Sequence, residues 1–298
     1  MNRSPILMFF ASIGILVILF MIAGVVLMVS FTGKRPNLMK TDSIGVLPVE
    51  GIILNSDATL KTLKKFSEDD SIKAILVRID SPGGVVGPSQ EIYQELIKVK
   101  RKKKVVASME SLGASGAFYI ALAADKIIAN PGTLTGSIGV IMEFPNYQKL
   151  FQWAKLEHTV IKSGKYKDVG SPFRPMTPEE KEYLDQLVLN VNDQFKHAVS
   201  VERKLDSAKL DQVADGRIFT GEQAKKLGLI DQLGNFSDSV DLAKELSGIK
   251  GKPELVYPDK ERNLLLRYLV DDSTAQMIEK MVSSYAPHGP LLYLMPAY

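Results

Sequence analysis

Between Ile44 and Ala129 the chain alternates short apolar runs with segments of helical pattern. Ile44 to Leu54 predicts a first strand region, Leu60 to Phe66 a helix, and Ile72 to Ile79 a strand. Ser89 to Lys102 predicts a helix, Val105 to Met109 a strand, Gly116 to Ala124 a helix, and Lys126 to Ala129 a short strand. Strands alternating with helices dictate an α/β fold of parallel βαβ units, with ligand chemistry at the carboxyl ends of the strands. Two small-residue turns fall at such ends: Asp80-Ser81-Pro82-Gly83-Gly84 and Ser111 to Tyr119.

The second turn is the more informative. In Ser111-Leu112-Gly113-Ala114-Ser115-Gly116-Ala117-Phe118-Tyr119, a hydroxyl sits among small residues where a strand gives way to a helix. A serine placed so can reach a substrate, and the N–H of Gly116 faces the same space at the positive end of the helix dipole. This is not the G-x-S-x-G elbow, because Ala117 stands where the last glycine would be. The first turn supplies a second oxyanion donor. Pro82 stiffens it, and Gly83 and Gly84 allow close backbone approach, the Gly84 N–H being the preferred donor.

A serine nucleophile needs a base. The three histidines, His158, His197 and His288, stand in no motif-like setting. Lys167, in Ser163-Gly164-Lys165-Tyr166-Lys167-Asp168, is the better candidate. A lysine serves as a general base where burial leaves it neutral.

Four segments then occur in order: Asp80 to Gly84, Ala114-Ser115-Gly116, Thr135-Gly136-Ser137-Ile138-Gly139-Val140, and Ser163-Gly164 through Lys167-Asp168. Asp215-Gly216-Arg217-Ile218-Phe219-Thr220-Gly221 and Leu227-Gly228-Leu229-Ile230-Asp231 follow. Over roughly Ile44 to Leu246 the chain resembles the signal peptide peptidase A family. These are membrane serine proteases with a Ser/Lys dyad and a Clp-protease/crotonase-like fold of repeated ββα units. The resemblance implies Ser115 as nucleophile, Lys167 as general base, and Ser137 as the serine that helps orient the lysine. It selects Lys167 over Lys165 because the family's lysine is followed by Asp or Ser. It further implies peptide substrates, chiefly cleaved signal peptides left in the membrane, and calls for no cofactor; no His/Asp/Glu cluster in the sequence has metal-ligand spacing. It also implies a ring- or dome-like homo-oligomer whose sites are shared between protomers.

The rest of the chain bounds these expectations. The net charge of +3 gives no reason to expect nucleic acid as a partner. With no cysteine there is no disulfide, thiolate site or Cys nucleophile. Ser4 to Gly33 carry no charge and Ile6 to Val29 are overwhelmingly apolar, long enough to cross a bilayer. The run exceeds a usual signal-peptide core and no A-x-A site follows it, so it is expected to be an uncleaved anchor. Arg3 precedes it while Lys34, Arg35 and Lys40 follow, which by the positive-inside rule would leave the domain in the cytoplasm. The resemblance places it on the extracytoplasmic, periplasmic side of the cytoplasmic (inner) membrane, on a single pass.

The expected organisation is an anchor with a short tail over residues 1–33, a linker over 34–42, a catalytic domain over 43–249, and a C-terminal extension over 250–298. Thr177-Pro178-Glu179-Glu180 opens a long amphipathic helix. Phe118 and Tyr119 read as core. The basic run from Lys98 to Lys104 reads as a solvated helix end. Pro290 to Pro296 is too short to span a membrane; a loose tail and a strand docking on a neighbour both fit it. Two other functions fit the fold class: a crotonase-type acyl-CoA hydratase or isomerase, which would need neither Ser115 nor Lys167, and a non-catalytic membrane scaffold.

Overall fold

The computed structural model describes residues 14, 16–21, 23–24, 41–258 and 292–294. Most of the apolar N-terminal run, and so the expected anchor, lies outside the described residues. The positions described within it are helical and exposed. Among the described residues no helix is long and apolar enough to cross a membrane. The chain divides into two compact units, Met1–Thr41 and Asp42–Tyr298.

The second unit is a mixed α/β structure. Its first part runs β1 (Ser43–Ile53), α1 (Asp57–Glu68), β2 (Ile72–Val85), α2 (Val86–Lys100), β3 (Lys104–Ala114), α3 (Gly116–Ala121), β4 (Lys126–Ala129) and β5 (Leu134–Gly136). It continues through α4 (Gln148–Trp153), α5 (Pro178–Arg203), α6 (Ser207–Val213), β6 (Ile218–Thr220), α7 (Gly221–Lys226), β7 (Gln232–Leu233), α8 (Phe236–Ser247) and β8 (Glu254–Val256). A described strand near the end of the chain, β9 (Leu292–Leu294), completes a nine-stranded sheet.

The sheet's main path is β6-β5-β3-β2-β1-β8. All its pairings are parallel except β5 with β6 and β2 with β9. β2 lies at its centre, and Ala74, Ile75, Leu76, Val77 and Ile79 are fully buried. A parallel strand covered on both faces needs this apolar content, because neither side chain parity meets water. Helix α8 caps one face over Ile44, Leu76, Val106 and Ile128, while α1, α2 and α3 cover the other.

β2 and β3 run farther than the apolar patterns alone indicate. β2 continues through Asp80-Ser81-Pro82-Gly83-Gly84 instead of turning there. Its register slips against β1 between Glu50 and Ile52 and against β3 between Ile79 and Ser81. Such irregularities let a strand carry a proline, which cannot donate to the ladder. β3 likewise passes Met109 and ends only at Ala114.

Helix α5 opens where Thr177 and Glu180 form a reciprocal capping box with Pro178 in the first turn. It ends at Lys204, in the left-handed conformation. Leu184, Phe195, Ala198 and Val199 are buried, whereas Leu187 and Leu189 face solvent.

Candidate active site

Ser115 stands at the junction where β3 becomes α3. Its backbone adopts φ 53°, ψ −117°, a region unusual for any residue with a Cβ. Holding a serine there costs on the order of 1–3 kcal/mol, so neighbouring bonds must impose it. They are visible: the Ser115 N–H donates to Gly136 O (2.8 Å), and the Tyr119 N–H donates to Ser115 O (2.9 Å). The Ser115 hydroxyl is buried and has no hydrogen-bond partner among the described residues. A buried orphan hydroxyl on a strained backbone is an arrangement that packing alone does not require.

The glycines of the other turn meet this junction. A Cβ built on Gly83 would stand 2.6 Å from Gly116 N and 3.1 Å from Ala114 O. Gly83 itself sits at φ 97°, so both sterics and backbone conformation demand glycine. Its N–H donates to the buried Ser81 hydroxyl (3.1 Å). Gly84 packs against β1: a Cβ there would meet Ile53 O at 2.1 Å. A Cβ on Gly116 would meet the Ser89 hydroxyl at 2.7 Å. Gly83, Gly116 and Ser115 therefore converge, with Gly84 on the flank toward β1.

Ser137 lies beside them through the backbone. Ala114 pairs with Gly136 across β3 and β5, and Ser137 follows with φ 50°. The Ser137 N–H donates to Arg217 O (2.9 Å), which ties the Asp215-Gly216-Arg217 turn to the same region. Ser137 is buried.

Lys167 has the opposite surroundings. It lies on an exposed loop and makes no side-chain hydrogen bond or ion pair among the described residues; only its N–H is bonded, to Gly164 O (3.1 Å). Its neighbours are all engaged. Lys162 pairs with Asp168, and Lys165 with Glu179. Arg174 joins Asp168 (Nε to Oδ2, 2.9 Å) to the buried Glu180 (Nη1 to Oε2, 2.8 Å). Hydrogen bonds from Arg174 and Lys162 hold the Asp168 carboxyl well below the usual carboxylate range. Arg174, with help from the Thr177 N–H, brings Glu180 down to about 2. This chain of charges fastens the Lys167 loop to the first turn of α5. Sequence reading missed it, although the spacing of Asp168, Arg174 and Glu180 was there to be read.

Within one chain Lys167 does not bond Ser115, since the serine hydroxyl has no partner. Nor does any described histidine. His158 packs its ring on Phe173 (4.1 Å between centroids), and His288 lies outside the described residues. Among the described residues no group of three or more His, Asp or Glu could hold a metal ion. Phe118 and Tyr119 are both buried in the core, as their core reading requires, and Tyr119 stacks its ring on Tyr293 of β9 (5.3 Å between centroids).

Comparison with known proteins gives this geometry its setting. Residues 97–250, which include Ser115, Ser137 and Lys167, match Peptidase family S49. The Synechocystis sp. protein named "Putative protease slr0021" is 44% identical over 220 residues, which are 74% of this chain and 79% of that protein. "Serine protease SPPA, chloroplastic" of Arabidopsis thaliana is 34% identical over 206 residues, 69% of this chain but 30% of its own length. "Protease 4" of Haemophilus influenzae is 30% identical over 215 residues, 69% of this chain and 35% of that protein. With its α/β sheet and this extent of similarity, the chain belongs to peptidase family S49, the signal peptide peptidase A family of serine proteases.

Proposed function

We propose that this chain is a membrane-anchored endopeptidase working through a Ser115/Lys167 dyad, and that it degrades cleaved signal peptides left in the membrane. The observation that carries the reading is the Ser115 hydroxyl: buried, unpartnered, on a strained backbone, beside glycines that leave room for a carbonyl. In the reaction Ser115 Oγ attacks the peptide carbonyl carbon as Lys167 Nζ takes its proton. The oxyanion is met by the Gly116 N–H and a second N–H from the Gly83-Gly84 pair. Lys167 passes the proton to the leaving amine, then draws one from water for attack on the ester. Ser137, joined to the nucleophile's strand through β5, helps to orient the lysine. No cofactor takes part.

The same reading makes the enzyme a homo-oligomer in which Lys167 reaches the Ser115 of an adjacent protomer. Two observations favour this. Lys167 has no side-chain partner among the described residues, whereas Lys162 and Lys165 beside it are engaged. The segment that carries it also exposes Leu150, Trp153, Leu156 and Ile161, with Trp153 at 82% and Ile161 at 97%. Apolar side chains this exposed in one segment mark an interaction face. A lysine amine accepts a proton only when neutral, and cover from a neighbouring subunit supplies the burial that favours that form.

In this reading the fold is of the Clp-protease/crotonase type. The apolar run within residues 1–33 is a single-pass anchor in the cytoplasmic membrane, and the catalytic unit lies on the extracytoplasmic side.

A serine-directed fluorophosphonate probe tests the chemistry. Labelling of the wild type, lost in Ser115→Ala and strongly slowed in Lys167→Ala, supports the dyad. Labelling that persists in Ser115→Ala refutes it.

A further inference from the structure

In the Asp80-Ser81-Pro82-Gly83-Gly84 segment the glycines meet the nucleophile, whereas the carboxylate at its head takes no part in the reaction described above. Its place in the sheet gives it another task. β2 and β3 run in step as far as Ile79 opposite Met109, and their next pairing is Ser81 opposite Gly113. Between those two pairings β2 advances by two residues and β3 by four. Glu110-Ser111-Leu112 therefore bulge out of the ladder, with Leu112 three residues short of Ser115. A bulge bends its strand and leaves backbone groups without their ladder partners.

Side chains take up those groups. Asp80 Oδ1 accepts from the Leu112 N–H (3.1 Å). From the other side, Thr133 Oγ1 donates to Glu110 O (2.5 Å). Arg78, two residues before Asp80 in β2, is already engaged: Nη2 pairs with Glu110 Oε2 (2.8 Å) and Nη1 donates to Ser108 Oγ (3.0 Å). Asp80 itself enters no ion pair among the described residues, so its carboxylate is spent on the bulge. A bond from an N–H to a carboxylate is roughly twice as strong as one between neutral groups.

Beyond the bulge, the nucleophile's strand is tied to β5. Thr135 Oγ1 donates to Gly113 O (2.7 Å), Ala114 pairs with Gly136, and the Ser115 N–H donates to Gly136 O. Those bonds fix Ser115 relative to β5. Its offset from β2, the strand that carries Gly83 and Gly84, is set by the Gly113–Ser81 pairing and by the Asp80 bond.

We propose that Asp80 is a positioning residue for the reaction: its carboxylate holds the β3 bulge and so sets Ser115 against the N–H donors of the Gly83-Gly84 pair. This rests on Ser115 being the nucleophile. Asp80 touches no reacting atom and acts through Leu112. A misplacement of about 1 Å between nucleophile and donors costs on the order of 10²-fold in rate.

The test uses the full chain in detergent, with kcat and KM for a fluorogenic peptide and the rate of fluorophosphonate labelling measured on each variant. Asp80→Ala should lower kcat and the labelling rate on the order of 10²-fold, with KM within about threefold of the wild type. Asp80→Asn keeps an oxygen that accepts from the Leu112 N–H, and should recover kcat to within about fivefold of the wild type. Asp80→Glu keeps the charge but moves the acceptor by one methylene. It should lower kcat and labelling roughly tenfold with unchanged circular dichroism, and it decides the matter if Asp80→Ala does not fold. Wild-type kcat in Asp80→Ala or in Asp80→Glu overturns the inference. A variant that loses melting temperature but keeps kcat, or that changes KM alone, overturns it as well, because the carboxylate would then serve stability or binding. Asp80→Asn as impaired as Asp80→Ala overturns it too, since charge and not the hydrogen bond would be what counts. Each of these outcomes leaves the dyad standing so long as labelling of the wild type depends on Ser115. Labelling that persists in Ser115→Ala removes the dyad and this inference together.

Discussion

The Ser115 junction and the Lys167 loop are built in opposite ways. Ser115 is held from every side by main chain: β3 enters it, α3 leaves it, Gly136 accepts from its N–H, and Gly83 closes against Gly116. Lys167 is held by charge at a distance. Asp168, Arg174 and Glu180 fasten its loop to α5, while the lysine itself points to no partner among the described residues. A strained backbone persists only where its surroundings over-determine it, which only the first region provides. A lysine that must become neutral needs burial, which the second region lacks in a single chain. Under the proposed dyad, the contrast means that a single chain builds the serine's surroundings fully and leaves the lysine's incomplete.

Five substitutions would break or sharpen that contrast. The largest effect should come from Ser115→Ala and Lys167→Ala. Each should lower peptide hydrolysis by at least about 10³-fold with unchanged circular dichroism, since nucleophile and base act as one unit. Near-normal turnover in Lys167→Ala would remove the base from the account.

Gly83→Ala comes next. The added Cβ has no space and the φ is wrong for alanine. Activity should fall on the order of 10²-fold, and stability should fall by about 1–3 kcal/mol of strain, read as a lower melting temperature. If the variant were as active and stable as the wild type, the convergence of Gly83 on the nucleophile would carry no function.

Arg174→Leu should act on the loop and its tie to α5. It leaves Asp168 with Lys162 as its cation and removes the cation of the buried Glu180, so kcat should fall roughly tenfold while probe labelling at low turnover survives. The pH dependence carries its own signature. Glu180 titrates at about 2 in the folded chain against an ordinary 4.5, so its pairing stabilises fully above that ordinary value. That contribution is lost as the pH falls from 4.5 toward about 2. The drop in melting temperature across this interval should be shallower in Arg174→Leu than in the wild type. Parallel curves would show that Arg174 is not what holds Glu180 ionised.

Lys165→Ala should have the smallest effect, within about threefold in kcat/KM, since this lysine is an exposed partner of Glu179 and exposed pairs are weak. A loss comparable to that of Lys167→Ala would move the base two residues upstream.

How much of this could be read from the sequence depends on the kind of interaction. Strand and helix positions were legible because burial imposes unbroken apolar runs such as Ala74 to Val77, and the α5 start because a capping box is local chemistry. The extension of β2 through Pro82 was not. A proline with two glycines signals a turn, and only pairing with β1 and β9 turns the same residues into a bulged strand. Ser115 stood out through its small neighbours and their order along the chain, while its φ of 53° is set by Gly136 and Tyr119 and has no local signature. Leu292-Tyr293-Leu294 read equally as a tail or a strand, because its pocket is assembled from Tyr119 and Phe195, far away in the chain. The choice of Lys167 over Lys165 came from family resemblance alone, and the ion pair of Lys165 with Glu179 is an independent reason for it.

The central claim is that one protomer supplies the serine and its neighbour the lysine. Co-expression of Ser115→Ala with Lys167→Ala chains, each separately tagged and purified through both tags, tests it most directly. In randomly mixed head-to-tail assemblies, about one interface in four joins an intact Ser115 to an intact Lys167. Peptide hydrolysis should therefore return to about a quarter of the wild-type rate, although neither parent has any. Mixed assemblies, verified by both tags, with no more activity than either parent would contradict the account and place a complete dyad within each chain.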